Sequence, residues 1–112
     1  MIHWLSGSAP SPPYFAVIFS SLKRSPREGY TQMDEATVKA VERVPGHLGH
    51  QFASEGDRTI FISYWKDEHA IAIWRDDQLH RAAKAAGRAD WYEYYDIQIC
   101  QVRTANAFRR PA

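Results

Sequence analysis

One imidazole among aromatic side chains in the second half of the sequence suits the binding and deprotonation of a flat organic molecule. His80 lies between Trp74 and Tyr92, and Tyr64 and Trp65 precede them. Imidazole has an unperturbed pKa of about 6.5, so it can accept a proton near neutral pH. Tryptophan and tyrosine rings can form pocket walls, and tyrosine adds a hydroxyl. We take His80 as the candidate catalytic base and Trp65, Trp74, Tyr64 and Tyr92 as candidate substrate-binding residues.

The same side chains also suit a purely structural role. His80 can hydrogen-bond a neighbouring strand, and Trp74 can anchor a helix in the core. Trp65, Trp74 and Trp91 together can fill the space in which a ligand would bind. Catalysis requires a polar group such as His80 to face an open cavity, whereas packing would seal it behind rings. The sequence leaves both interpretations open.

The other histidines are weaker candidates. His47 and His50 flank Gly49 at the start of a predicted strand, and His69 lies near the first turn of a predicted helix. None of them forms a recognised metal-binding pattern with a cysteine or carboxylate. We therefore predict no metal and no cofactor.

Two pairs of adjacent acids invite an acid-base interpretation, but helix capping explains them better. Asp67-Glu68 and Asp76-Asp77 each precede a predicted helix, where carboxylates cap free N–H groups and favour the helix dipole. The sequence contains no Gly-rich phosphate loop, serine nucleophile elbow or Walker sequence, so hydrolase and nucleotide-dependent functions have no support.

Length, charge and cysteine usage narrow the class of protein. A chain of 112 residues corresponds to one domain, and a net charge of +1 offers no field that would attract nucleic acid. No apolar run approaches the roughly 20 residues that cross a bilayer. Cys100, in a strand that we expect to be buried, has no partner for an internal disulfide. A cytoplasmic location is the expectation.

The order of predicted elements gives the fold class. Residues 1–13, with Gly7 and several prolines, form an N-terminal arm; residues 14–104 form the domain; residues 105–112 form a tail. Strands are predicted at 14–19, 47–54, 59–65 and 92–104, with a hairpin turn at 55–57. Helices are predicted from Ser25 to Pro45, from Asp67 through Trp74, and onward to Ala86.

This β-α-β-β-α-β order predicts an α+β, ferredoxin-like protomer. It has a four-stranded antiparallel sheet with both helices on one face. The other face would then be bare. Five large side chains exceed what one helix-covered face is expected to hold, so some of them should meet another sheet or a ligand: Phe15, Val17, Phe19, Phe61 and Trp65. We expect a homodimer that packs sheet to sheet and forms a dimeric α/β barrel.

Several uncommon residues in this order resemble the antibiotic biosynthesis monooxygenase family. They are the run Phe61-Ile62-Ser63-Tyr64-Trp65, then Ala70-Ile71 with Trp74, His80 with Ala83, Gly87, Trp91-Tyr92 and Tyr95. The resemblance covers the layout from Tyr14 to Arg103 and is specific from Ser63 to Val102. It implies dimeric α+β barrels. Characterised members include cofactor-independent oxygenases of polycyclic aromatic substrates and haem-degrading enzymes, and many members have no established reaction.

The resemblance implies a residue test between those two activities. In the haem-degrading members an axial histidine follows the helix tryptophan by about ten positions, where this chain has Lys84. We therefore predict a small cofactor-independent monooxygenase that acts on an aromatic or conjugated molecule between sheet and helices. The alternative is a non-catalytic dimeric protein that binds a hydrophobic metabolite. Haem binding or degradation is the lesser alternative.

Overall fold

The computed structural model describes residues 1–24, 36, 38–77, 83–86, 88 and 91–112. The strands are β1 (His3–Trp4), β2 (Tyr14–Lys23), β3 (His47–Glu55), β4 (Arg58–Trp65) and β5 (Tyr92–Val102). Helical segments are α1 at residues 38–42, α2 at Glu68–Arg75 and α3 at residues 83–86. In this part of the chain no helix is long and apolar enough to cross a membrane. The fold is α+β, as the sequence predicts.

One antiparallel sheet has the strand order β1-β3-β4-β2-β5. The expectation of four strands misses β1, in which His3 pairs with His50 and Trp4 with Gly49. Such a short strand carries no alternating pattern for a sequence to reveal. Gly49 is what permits the approach, because a Cβ there would collide with the His3 carbonyl and lie 2.8 Å from the Trp4 ring.

We call the two surfaces of the sheet the helix face and the outer face. The helix face carries Phe15, Val17 and Phe19 from β2, which pair with Trp65, Ser63 and Phe61 from β4. All five large side chains thus share the helix face, so none of them supplies the surface for a second sheet, and the alternative that some of them meet a ligand stays a prediction. Phe15, Val17 and Trp65 belong to the core, while Phe19 and Phe61 line a cavity.

Trp65 is the centre of the core beneath the helices. It is fully buried with Val41, Ala70 and Ile71. Its indole Nε1 donates a 2.8 Å hydrogen bond to Ser63 Oγ, so the polar tip of the ring is satisfied. As predicted, Asp67 caps α2: its carboxylate accepts a 2.8 Å hydrogen bond from the Ala70 N–H. This cap fixes where α2 begins over the sheet.

The outer face is partly covered by the N-terminal arm. Trp4 packs against Tyr14 and Tyr64 at centroid distances of 5.8 Å and 5.0 Å. The Tyr64 hydroxyl accepts a 2.7 Å hydrogen bond from Gln51 Nε2. Tyr14, Ala16 and Tyr64 are consequently buried within one chain. The arm therefore covers part of the face that was expected to be bare.

The remainder of the outer face is open in the single chain. Ile60 and Tyr94 are exposed, and so is Cys100. The expectation that Cys100 lies in a buried strand is wrong for the protomer. β5 is an edge strand, and Cys100 lies opposite Ala16 beyond the reach of the arm's aromatic cluster.

Candidate functional site

A cavity of about 360 Å³ lies between the helix face and the helices. Its size falls in the range of small-molecule sites. The described roof residues are Val38 and Val41 from α1, Ile71, Trp74 and Arg75 from α2, and Ala83 and Lys84 from α3. The sheet therefore forms the floor, and mainly apolar helical side chains form the roof.

The floor consists of three cross-strand rows set by the register of β2 to β5. The inner row contains His50, Ser63, Val17 and Ile99; the middle row contains Phe52, Phe61, Phe19 and Ile97; the outer row contains Ser54, Thr59, Ser21 and Tyr95. Neighbouring rows are two residues apart along each strand, so the inner and outer rows are separated by about 13 Å. An apolar, ring-rich strip thus lies between two rows that carry polar groups.

His50 supplies the titratable group of the inner row. It is partly buried, and its Nδ1 atom is buried without a hydrogen-bond partner in the described part of the chain. Its ring stacks on Phe61 at 5.7 Å and 22°. Burial lowers the pKa of His50 below the ordinary 6.5, His3 lowers it further, and Glu42 partly opposes both. His50 is therefore neutral at physiological pH and able to accept a proton.

His50 is the middle member of a histidine stack that we define as His3, His50 and His47. The His3 and His50 centroids are 5.2 Å apart, and the His47 and His50 rings are parallel within 3° at 5.6 Å. Burial, and secondly His50, lowers the pKa of His47 to about 4. The Gly49 backbone offsets a little of this, but neither His47 nitrogen makes a hydrogen bond of good geometry to a described residue. His47 is a neutral, buried neighbour.

The outer row carries a second unpartnered polar atom. Ser21 is buried, and its Oγ has no hydrogen-bond partner among the residues described. The other hydroxyls of this row are paired: Ser54 bonds Thr59 at 2.9 Å, and the Tyr95 hydroxyl accepts a 2.6 Å bond from Arg88 Nε. A buried hydroxyl without a partner costs stability, and the Ser21 side chain borders the cavity.

Aromatic rings form one wall of the cavity. Phe19 stacks on Tyr95 at 5.4 Å and meets Tyr92 edge to face at 5.6 Å. Tyr92 and Tyr95 also meet edge to face at 5.7 Å. These mutual contacts hold the rings in place. Together with Trp74 in the roof they offer flat apolar surfaces to a planar ligand.

The structure brings together only some of the candidate residues from the sequence. Trp74 and Tyr92 both line the cavity. Trp65 lies in the core below it, and Tyr64 lies on the outer face with Trp4 and Gln51, away from the cavity. His80 falls outside the described residues, and its catalytic role stays a prediction.

Sequence reasoning missed His50 and Ser21 as cavity residues. A signal for His50 exists: the predicted turn at 55–57 makes Glu55 and Arg58 a pair. Counting outward from that pair places Phe52 opposite Phe61 and His50 opposite Ser63. His50 thus shares a face with Phe61. For Ser21, composition gives no such signal, because its neighbour Ser20 has the same side chain on the outer face.

Among the described residues, no cluster of at least three histidine, cysteine, aspartate or glutamate side chains has an arrangement that could hold a metal ion.

Known proteins of similar structure show the same fold. The chain superposes on protein SO0527 from Shewanella oneidensis with a TM-score of 0.72 and 12% identity, over 83% of this chain and 94% of that one. It superposes on SnoaB from Streptomyces nogalater, a cofactor-independent oxygenase, with a TM-score of 0.71 and 14% identity, over 84% and 97% of the chains. At such low identity these likenesses support the architecture alone.

Relatives in sequence show the family to which the chain belongs. The chain is 41% identical over 110 residues to the uncharacterized protein YqjZ of Bacillus subtilis (strain 168), which covers 97% of this chain and 96% of YqjZ. Residues 13–86 match the model of the family described as antibiotic biosynthesis monooxygenase. That segment includes β2, β3, β4, α2 and most of the described cavity roof. The chain therefore belongs to the antibiotic biosynthesis monooxygenase family.

Proposed function

We propose that this protein is a small cofactor-independent monooxygenase that oxidises an aromatic or conjugated organic molecule in the cavity between sheet and helices. The observation that carries the proposal is the cavity floor: a ring-rich strip flanked by rows that contain His50 and Ser21, whose Nδ1 and Oγ atoms make no hydrogen bond to a described residue. Such a floor matches a planar molecule with polar groups near its ends.

The proposed reaction converts an activated methylene group to a carbonyl. A base removes a C–H proton, and the electron pair stays on the conjugated substrate as a carbanion. The carbanion passes one electron to dioxygen, the radical pair combines to a peroxide anion, and the protonated base returns its proton to give a hydroperoxide. The hydroperoxide loses water, so one oxygen atom enters the product and the other leaves in water. The substrate supplies all four electrons, and dioxygen is the sole co-reactant.

The protein's contribution to this reaction is to exclude water and orient the substrate. Phe19, Phe61 and Trp74 would lie against the ring system, where a low dielectric strengthens interactions with the anion. His80 is the base predicted from the sequence and lies outside the described residues. Membership of the antibiotic biosynthesis monooxygenase family, to whose model residues 13–86 match, supports this class of chemistry.

A homodimer through the outer faces forms part of the proposal. Ile60 and Tyr94 leave apolar surface exposed beside the region that the arm covers. Burying it against a second copy would complete the barrel expected for the family. Light scattering at micromolar concentration tests this, and a monomeric mass would contradict it. The unpaired Cys100 suits a reducing compartment, and we propose a cytoplasmic location on that ground.

Oxygen consumption with anthrone tests the proposed function directly. The protein is treated with EDTA, and the product is analysed for one atom of ¹⁸O from ¹⁸O₂. We expect turnover above the rate of uncatalysed air oxidation and its loss in Trp74→Ala. The matched control is Tyr64→Phe on the outer face, which should retain turnover. Saturable binding of anthrone without oxygen uptake would instead favour the non-catalytic binding protein.

Haem degradation is tested separately, because Lys84 lines the cavity roof at the position where the family's haem-degrading members carry their axial histidine. A lysine ammonium cannot serve as an ordinary axial ligand. We expect no shift of the Soret band when hemin is titrated into the protein. A saturable shift would overturn this assignment.

A further inference from the structure

We propose that His50 accepts a proton from the ligand at the inner end of the cavity. This assignment deepens the proposed function and rests on it only for the identity of the reaction. It differs from the sequence prediction, which gives the role to His80.

The position of His50 meets the geometric demand on a base. It belongs to the inner row of the floor, next to the ring-rich strip on which a planar ligand would lie. Stacking contacts with both Phe61 and His47 limit reorientation of its imidazole. A base held in this way loses little entropy when the substrate binds.

The hydrogen-bonding state of His50 indicates which ring nitrogen can meet a ligand. Nδ1 is buried and makes no hydrogen bond to the described residues, so a ligand cannot reach it without a movement of the ring. The proton acceptor in the proposal is therefore Nε2, with the ring proton of the neutral imidazole on Nδ1.

Burial first, and the neighbouring His3 second, lower the pKa of His50 and keep its imidazole in the form that accepts protons. The titratable or charged groups around it are His3 on β1, His47 on β3, Glu42 on α1, Arg75 on α2, Lys84 on α3, and Lys23, Tyr92 and Tyr95 toward the outer row. His3 disfavours the imidazolium form, and Glu42 favours it. The cavity lining that is described contains no carboxylate. Arg75 and Lys84 are therefore placed to favour an anionic product of deprotonation.

The proposed step transfers one proton and no electrons. The proton moves from the ligand to an imidazole nitrogen of His50, and the electron pair of the broken bond remains on the conjugated ligand. The imidazolium and the ligand anion then form an ion pair in a largely apolar site, where their attraction is strong.

Alizarin, a planar hydroxyanthraquinone whose colour reports phenol ionisation, tests the assignment without requiring turnover. Bound to the wild-type protein, its ionisation constant should rise at least tenfold over that of free alizarin. His50→Gln should lose this rise. His69→Gln is the matched control, because His69 is an exposed histidine on α2 outside the cavity lining, and it should retain the rise.

Three outcomes would overturn the proposal: no change of alizarin ionisation with the wild-type protein, a change that persists in His50→Gln, or a change lost in His80→Gln but kept in His50→Gln. His50→Asn serves as a second variant if the glutamine substitution does not fold. Failure of anthrone oxidation with a positive alizarin result would refute the proposed monooxygenase function while leaving the role of His50 standing.

Discussion

The two faces of one sheet bury aromatic rings in different ways. On the outer face, Tyr14, Tyr64 and Trp4 pack edge to face or tilted, and the Tyr64 hydroxyl is hydrogen-bonded to Gln51. On the helix face, rings border an open cavity in which His50 Nδ1 and Ser21 Oγ lack described partners. The number of rings does not distinguish the core from the cavity. The two differ in whether the polar atoms beside the rings have hydrogen-bond partners among the described residues.

The largest effect that separates the two faces should be on turnover. His50→Gln removes the proposed proton acceptor and should lower kcat for anthrone oxidation by about 10²- to 10⁴-fold, the usual contribution of a general base. Tyr64→Phe alters a buried ring on the outer face and should change kcat less than about threefold. Equal loss of kcat in both variants would remove the distinction between the faces.

Acid should destabilise the helix face through His47. The folded pKa of His47 is about 4, against an ordinary value of 6.5. The unfolded chain therefore binds a proton between pH 6.5 and pH 4 that the folded chain does not. Stability is fully present above pH 6.5 and should fall by roughly 2–3 kcal/mol as pH drops to 4. Urea unfolding at several pH values measures this fall.

His47→Gln is the control for the acid effect. The variant should show a shallower fall of unfolding free energy between pH 6.5 and pH 4, whatever its stability at pH 7. An unchanged slope would assign the acid sensitivity to other groups.

Adjacent serines allow a matched comparison of the faces. Ser21 lines the cavity, and Ser20 lies on the outer face. Ser21→Ala removes an unpartnered buried hydroxyl, so it should leave the free energy of unfolding unchanged or slightly higher but weaken alizarin binding by about fivefold. Ser20→Ala should leave binding unchanged. Equal affinity in both variants would mean that Ser21 does not meet the ligand.

The smallest predicted effects have opposite signs. His3 lowers the pKa of His50, and Glu42 raises it. The pH at which His50 becomes protonated marks the acid end of the pH titration of bound alizarin. His3→Gln should move that pH upward, and Glu42→Gln should move it downward, each by a few tenths of a unit. Shifts in one common direction would indicate a general structural change instead of local electrostatics.

Much of the fold could be predicted because local signals determine it. The Asp67 cap, the turn at 55–57 and the alternation of Ile60, Ile62 and Tyr64 against Phe61, Ser63 and Trp65 all follow from short stretches of sequence. Alternation assigns side chains to two faces without telling which face the helices cover. Tyr64 and Trp65 were for that reason grouped in one site, although they lie on opposite sides of the sheet.

The arrangement of polar groups in the cavity could not be predicted, because it depends on contacts between residues that are far apart in the sequence. His3 reaches His50 only because β1 pairs at the edge of β3, and that pairing depends on the missing side chain of Gly49. Nothing within residues 1–13 predicts it. The unpartnered state of Ser21 and His50 likewise depends on what surrounds them in three dimensions, which a list of residue types does not contain.

Phe52 stands at the rim of the cavity, because its side chain lines the cavity and yet is 70% exposed. An exposed side chain changes rotamer in picoseconds to nanoseconds, whereas loop and domain movements take far longer. A ligand that passes beside Phe52 would therefore meet a ring that can turn aside without a rearrangement of the sheet.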